Sequence, residues 1–162
     1  MAREIERKFT VQRALWSPST PGVHYRQGYL SDDPERVVRV RVAGDSAFIT
    51  IKGITHGVER SEFEYPVPRA DADRMLDTLC LRPLVEKTRY RVRHGATTWE
   101  VDDFAGDNAG LIVAEVELPS ADAAYDAPPW LGREVSHDAR YFNSNLARHP
   151  YARWGSDDGD DR

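Results

Sequence analysis

The chain has 162 residues, of which 40% are hydrophobic and 30% charged, and its net charge is −5. That length predicts one domain with a sizeable core, and the acidic balance argues against a nucleic-acid polymer as partner, since such binding calls for a basic field. No apolar run approaches the roughly 20 residues of a membrane span, charge follows Met1 at once so that no signal peptide is expected, and the single cysteine, Cys80, excludes both an intramolecular disulfide and a cysteine-built zinc cluster. A reducing, cytoplasmic setting is the expectation.

Residues 3–11 alternate with period two and predict a first strand. Glu4, Glu6 and Lys8 share one face of it, because successive side chains point to opposite sides of a strand. Ile5, Arg7 and Phe9 take the other face. A loop over 12–22 holds Pro18, Pro21 and Gly22. The next strand, 24–30, puts Gln27 and Tyr29 on one face, and 36–42 sets Arg39 and Arg41 opposite Val38, Val40 and Val42. Gly44-Asp45 predicts a hairpin turn into 47–52, where Thr50 and Lys52 share a face. Residues 60–65 align Arg60, Glu62 and Glu64 until Pro66 and Pro68 end the strand.

A helix over 70–82 comes next, with Asp71 as N-cap and an apolar stripe of Met75, Leu76, Leu79 and Cys80. The stripe makes Cys80 a core thiol. The strand 84–94 lines up Lys87, Arg89, Arg91 and Arg93; 98–102 pairs Glu100 with Asp102; and 111–118 pairs Glu115 with Glu117. Beyond Pro119 the sequence predicts a short helix over 121–126 capped by Ser120, a turn over 128–132, and a last helix from Ser136 to about Arg148. The domain is expected to span 1–150. Residues 151–162, ending in four acids against one arginine, read as an acidic, disordered tail.

Seven of the eight predicted strands carry charge at alternate positions on one face. Those faces gather eight carboxylates: Glu4, Glu6, Glu62, Glu64, Glu100, Asp102, Glu115 and Glu117. Against them stand at least seven cations: Lys8, Arg39, Arg41, Lys52, Arg60, Lys87 and Arg89. Only three of the 22 basic residues are lysine, and each lies inside a strand alternation, an odd place for a solubilising charge. Two architectures accommodate the pattern. In a sandwich the charges face water; in a closed barrel they line a wet lumen and helices cover the apolar outside. Chemistry favours the second. Paired carboxylates are ligands for hard cations such as Mg²⁺ or Mn²⁺, arginine and lysine clusters suit polyanionic phosphate, and a site with both suits metal-assisted phosphoryl transfer. The five histidines show no metal-ligand spacing, and Trp99 and Trp130 read as outer-wall packing.

The motif Glu4-Ile5-Glu6-Arg7-Lys8 resembles the Glu-x-Glu-x-Lys signature of the CYTH superfamily, the triphosphate tunnel metalloenzymes. Further matches follow in order: Gln27-Gly28-Tyr29-Leu30, Arg39-x-Arg41, Thr50-x-Lys52, Arg60-x-Glu62-x-Glu64, Glu86-Lys87-Thr88-Arg89-Tyr90, Glu100-x-Asp102-x-Phe104-x-Gly106, Glu115-x-Glu117, Pro129-Trp130-Leu131-Gly132-x-Glu134-Val135 and Asp138-x-Arg140-Tyr141-x-Asn143. They span about residues 2–150, in the manner of a short stand-alone bacterial member. The resemblance implies an eight-stranded antiparallel tunnel barrel with a charged lumen, which binds a triphosphate-containing small molecule and acts with a divalent metal. It implies that Glu4, Glu6 and Glu117 resemble the ligands of an activating Mg²⁺ or Mn²⁺. Glu64, Glu100, Asp102 and Glu115 become candidates for a second metal or for ordering the attacking water. Lys8, Arg39, Arg41, Lys52, Lys87 and Arg89 look like a triphosphate clamp, with Arg60 and Arg140 as further substrate contacts.

Tyr29 shares its face with Gln27, which places it toward the lumen near Lys87. Glu4, Glu6, Lys8, Tyr29 and Lys87 are therefore the candidate catalytic residues. The expected activity is metal-dependent hydrolysis of inorganic tripolyphosphate. Thiamine triphosphatase, nucleoside triphosphatase and class IV adenylate cyclase share the same clamp, and a non-catalytic polyphosphate or nucleotide sensor is the alternative of another class. The intact carboxylate pairs favour catalysis. An outer wall with exposed apolar residues leaves room for a homodimer.

Overall fold

Alternation with period two, repeated strand after strand, fixes the architecture. The computed structural model describes residues 3–154. The strands are β1 (Arg3–Val11), β2 (Val23–Ser31), β3 (Arg36–Ala43), β4 (Ser46–Gly53), β5 (Glu59–Pro66), β6 (Val85–His94), β7 (Thr97–Phe104), β8 (Ile112–Glu117) and β9 (Leu131–Glu134), and the α-helices are α1 (Arg69–Thr78) and α2 (Asn143–Arg148). Eight strands run in the spatial order β5-β4-β3-β2-β6-β7-β8-β1, and β1 pairs back to β5. The ring is antiparallel and closed, so the charges line a lumen and the sandwich is excluded.

The closure is short. Along one edge of β1, Glu6–Thr10 pair with β8. Along the other edge only Arg3, Glu4 and Ile5 meet β5. Farther along that edge Phe9 and Val11 pair with β9, a ninth strand where the sequence predicted only a turn into Gly132. Between the β5 seam and β9 that edge is completed by residues outside the strands: the Glu6 amide donates to the Val58 carbonyl, and the Lys8 backbone bonds Val135 and Ser136.

The outer wall is covered in two ways. Helix α1 lays Ala72 and Leu76, and the chain just after it lays Cys80, on Val40, Val42 and Ala47. Gly28 permits the chain after α1 to come close, because a Cβ there would stand 2.9 Å from Cys80 Cβ. The remaining outer wall, with Ile5, Phe9, Trp99, Val101 and Val116, is covered by loop residues Trp16, Tyr125 and Trp130. Phe9 and Tyr125 each meet Trp99 edge-on, with centroids 5.6 and 5.7 Å away. The predicted helix over 121–126 does not form. Its last residue is pinned instead to the β6–β7 turn: Asp126 accepts from the Ala96 amide at 2.7 Å, and its own amide donates to Thr97 Oγ1 at 2.8 Å. A six-residue helix gains too little to compete with those bonds.

The lumen is not charged along its whole length. Val37, Val85, Phe104 and Val113 share faces with Arg39, Lys87, Asp102 and Glu115, yet they belong to an apolar cluster that fills one end of the barrel. Tyr141, Leu146, Ala147 and Trp154 complete this cap. The predicted helix from Ser136 is broken here. Ser136 Oγ accepts the Lys8 amide and donates to Glu134, so it caps nothing; Asp138 instead caps a 3-10 turn over Ala139–Tyr141, and extended Phe142 precedes α2. The expected domain boundary at 150 also moves. Trp154 is buried and meets Tyr141 edge-on at 5.1 Å, so residues 151–154 belong to the fold. The rest of the predicted acidic tail lies outside the described residues.

Candidate active site

Two contiguous cavities occupy the lumen. The larger, about 240 Å³, is lined by Arg39, Arg41, Lys52 and Arg89 and by Glu4, Glu6, Glu62, Glu64, Glu100, Glu115 and Glu117. The smaller, about 70 Å³, shares Glu4, Glu6, Arg39 and Lys52 with it and reaches Lys8, Tyr29 and Arg60. Asn143, at the start of α2, lines both. Cations and carboxylates are thus brought together as the alternation implied.

Their pairing divides them. Lys52 Nζ sits 3.1 Å from Glu4 and 3.5 Å from Glu62. Lys8 Nζ donates to the Tyr141 carbonyl at 3.1 Å and lies 3.7 Å from Glu115. Arg89 forks onto Asp102 with bonds of 2.7 and 2.8 Å and also reaches Glu100 at 3.2 Å. Arg41 Nε donates to Gln27 at 3.0 Å. Arg39 donates to Thr50 at 3.3 Å, and Thr50 in turn donates to Glu64 at 2.7 Å. Arg39 Nε is buried and has no hydrogen-bond partner. A buried donor left unpaired is costly. Arg7 Nε, on the opposite face of β1, is the other such atom among the described residues.

The carboxylates crowd one another. Glu6 stands directly across from Glu117, and Glu100 across from Glu115. Like charges in such cross-strand pairs repel. Burial, then Glu115 and Glu4, push the Glu6 carboxyl well above the ordinary range. Burial and Glu4 raise Glu62, and burial with Glu4 and Glu100 raises Glu117. Burial opposes charge on Glu115 as well, but Lys8, Arg89 and Lys87 outweigh it and hold that carboxyl well below its usual value. Glu4 is lowered by Lys52 against the same penalty. Two of the raised carboxyls hydrogen-bond lowered ones: Glu6 to Glu115, and Glu62 to Glu4. Both contacts favour a retained proton where a cation would instead relieve the repulsion. The donor set, all carboxylate oxygen, is the kind that holds a hard divalent ion. Among the described residues no three of these groups are yet gathered at metal-binding distance.

The CYTH domain family matches residues 2–151. The chain belongs to the CYTH family. It is 46% identical to an inorganic triphosphatase of Acetivibrio thermocellus over 151 residues, covering 93% of this chain and 97% of that protein. It is 38% identical to an inorganic triphosphatase of Nitrosomonas europaea, covering 89% and 96%. The crystal structure of the inorganic triphosphatase NE1496 superimposes with a TM-score of 0.64 at 37% identity, covering 91% of this chain and 95% of that one.

Within this CYTH barrel several expected site residues take other places. Asp102, expected as a metal ligand, is fully buried with both oxygens held by Arg89 and Lys87. It is a buried counter-ion beneath the cavity wall. Lys87 is likewise fully buried, 2.8 Å from Asp102. Burial, aided by Arg89 and Arg41 and opposed by Asp102, brings its ammonium down to about 7. Tyr29 does not pair with Lys87 directly. Its hydroxyl accepts from Gln27 at 3.5 Å, Gln27 donates to Asn143 at 3.3 Å, and Lys87 donates to the same Asn143 oxygen at 3.2 Å. The tyrosine across from Lys87 is Tyr25. Arg140 is outside the lumen linings: it is held by Asp138 at 2.6 Å and lies 5.0 Å from the Trp154 ring centroid. Arg60 lines the smaller cavity only, with Nε bonded to the Gly53 carbonyl at 3.1 Å. Gln27 and Asn143 are functional candidates that the sequence marked only as motif positions.

Proposed function

We propose that this CYTH protein hydrolyses inorganic tripolyphosphate in its lumen with the aid of a divalent cation. The observation that carries the reading is a cavity in which Arg39, Arg41, Lys52 and Arg89 face a wall of carboxylates. Four clustered cations call for a polyanionic acceptor. The inorganic triphosphatases named above support the choice of substrate.

Arg39, Arg41, Lys52 and Arg89 hold the chain of phosphates extended and absorb charge as it shifts to the leaving group. Lys8 and Arg60 extend the basic surface into the smaller cavity. Lys87 sits behind the clamp, where Asn143 ties it to Gln27 and so to Arg41. Water attacks a terminal phosphorus; the new oxygen–phosphorus bond forms as the bridging bond breaks, and pyrophosphate leaves. The water's proton passes to a carboxylate of the lining. Glu4, Glu6, Glu115 and Glu117 are the residues suited to hold Mg²⁺ or Mn²⁺. When bound, the ion supplies charge neutralisation and orientation of phosphoryl oxygens. Metal-dependent release of orthophosphate from tripolyphosphate, abolished by EDTA, tests the reading; undiminished release in EDTA refutes the metal.

No helix among the described residues is long and apolar enough to cross a membrane. Exposed Ile51, Phe63 and Tyr65 on the outside of β4–β5 support a homodimer, which sedimentation would reveal.

A further inference from the structure

We propose that Tyr25 is a positioning residue of the phosphate clamp, a strut against which the Arg41 and Arg89 guanidiniums are held for a bare triphosphate. The inference rests on the function proposed above.

Strand β2 runs between β3 and β6, so its lumen-facing side chains stand between the cations of those two strands. Tyr25 pairs with Ala43 on one side and Lys87 on the other. Its ring centroid is 4.8 Å from Arg41 Cζ, 5.0 Å from Arg89 Cζ and 5.9 Å from Lys87 Nζ. Three cations from two strands thus converge on one half-buried ring that lines the larger cavity. Each guanidinium is anchored elsewhere on one side, Arg89 by Asp102 and Arg41 by Gln27. The ring is the contact that they share. An aromatic face attracts cations, so the strut steadies both arginines and offsets their mutual repulsion before substrate arrives. The same geometry weighs against a nucleobase platform. The ring is already engaged by both guanidiniums, and a stacking base would have to displace one of them. A clamp built in this way prefers a triphosphate with no ester group.

The test is steady-state kinetics and calorimetric binding of tripolyphosphate, with ATP as comparison, for wild type, Tyr25→Leu and Tyr25→Phe. Tyr25→Leu should raise KM for tripolyphosphate about tenfold and leave kcat within about twofold, the scale expected when cation–π attraction no longer steadies the bound state. Tyr25→Phe, which keeps the ring, should restore KM to within about twofold of wild type. In an Arg41→Lys background Tyr25→Leu should cost less than about threefold, because the partners are coupled. Should Tyr25→Leu fail to fold, Tyr25→Met takes its place. An unchanged KM, a loss confined to kcat, equal losses for phenylalanine and leucine, or a rise confined to ATP would each overturn the strut. If wild type binds tripolyphosphate without hydrolysing it, the hydrolase reading fails and the ratio of dissociation constants tests the strut alone. If wild type does not bind it, both fail.

Discussion

Metal binding to the acidic wall should release protons. The raised carboxyls Glu6 and Glu62 each hydrogen-bond a lowered partner, Glu115 and Glu4, an arrangement that favours a retained proton in the metal-free lumen. A divalent ion that takes these oxygens displaces such protons, because ligands must be deprotonated. At lower pH there are more protons to displace, so affinity must rise with pH. It should climb by at most about two decades per pH unit and level off once Glu6 and Glu62 are both ionised in the free protein. Each decade is about 1.4 kcal/mol. Calorimetric titration with MgCl₂ or MnCl₂, in two buffers of different ionisation enthalpy at one pH, counts the protons directly. The expected count is above zero, at most about two per ion, and larger at lower pH, and Glu6→Gln should reduce it. Identical heats in both buffers, or an affinity flat across pH 5–9, would refute the reasoning.

Three further outcomes follow from the same contacts. Glu4→Gln or Glu117→Gln should cut metal-dependent turnover at least about a hundredfold, the scale seen when charge-stabilising groups are removed, while circular dichroism stays native; wild-type rates would remove these residues from the metal site. Arg39→Ala should weaken tripolyphosphate binding about tenfold or more and orthophosphate binding far less; equal losses contradict an extended clamp. Lys87 titrates at about 7 in the fold against about 10.5 in the unfolded chain. The unfolded state therefore binds the extra proton between those values, and stability falls as pH drops from 10.5 toward 7. Between pH 9 and 7 the loss should be about 2–3 kcal/mol by denaturant unfolding, and Lys87→Met should flatten that slope; a slope that survives the substitution means that another group causes it.

Much of the site was legible because a strand's period assigns faces without ambiguity. Glu4, Glu6, Arg39, Arg41, Lys52, Arg89, Glu115 and Glu117 all fall on the lumen side as the alternation required. Depth along the lumen was not legible. Tyr25 and Tyr29 share a face, and only the register of β2 on β6 puts Tyr25 opposite Lys87 and sends Tyr29 into the apolar cap. Asp102 likewise has the right face, but the fork from Arg89 and the bond from Lys87 withdraw it from the cavity. Those are consequences of cross-strand neighbours, which one strand's sequence does not reveal. Asn143 was hidden by a different effect. A helix read as continuous from Ser136 breaks at Phe142, since β1 takes Ser136 Oγ for the Lys8 amide. The break is what brings Asn143 to Lys87 and Gln27.

The most direct test of the central claim is a product assay on tripolyphosphate, ATP and thiamine triphosphate, each with Mg²⁺, with Mn²⁺ and with EDTA. Fast metal-dependent release of orthophosphate and pyrophosphate from tripolyphosphate, with little from the other two, is the expected result. Cyclic AMP and pyrophosphate from ATP, or tight binding of every compound with no product, would contradict it.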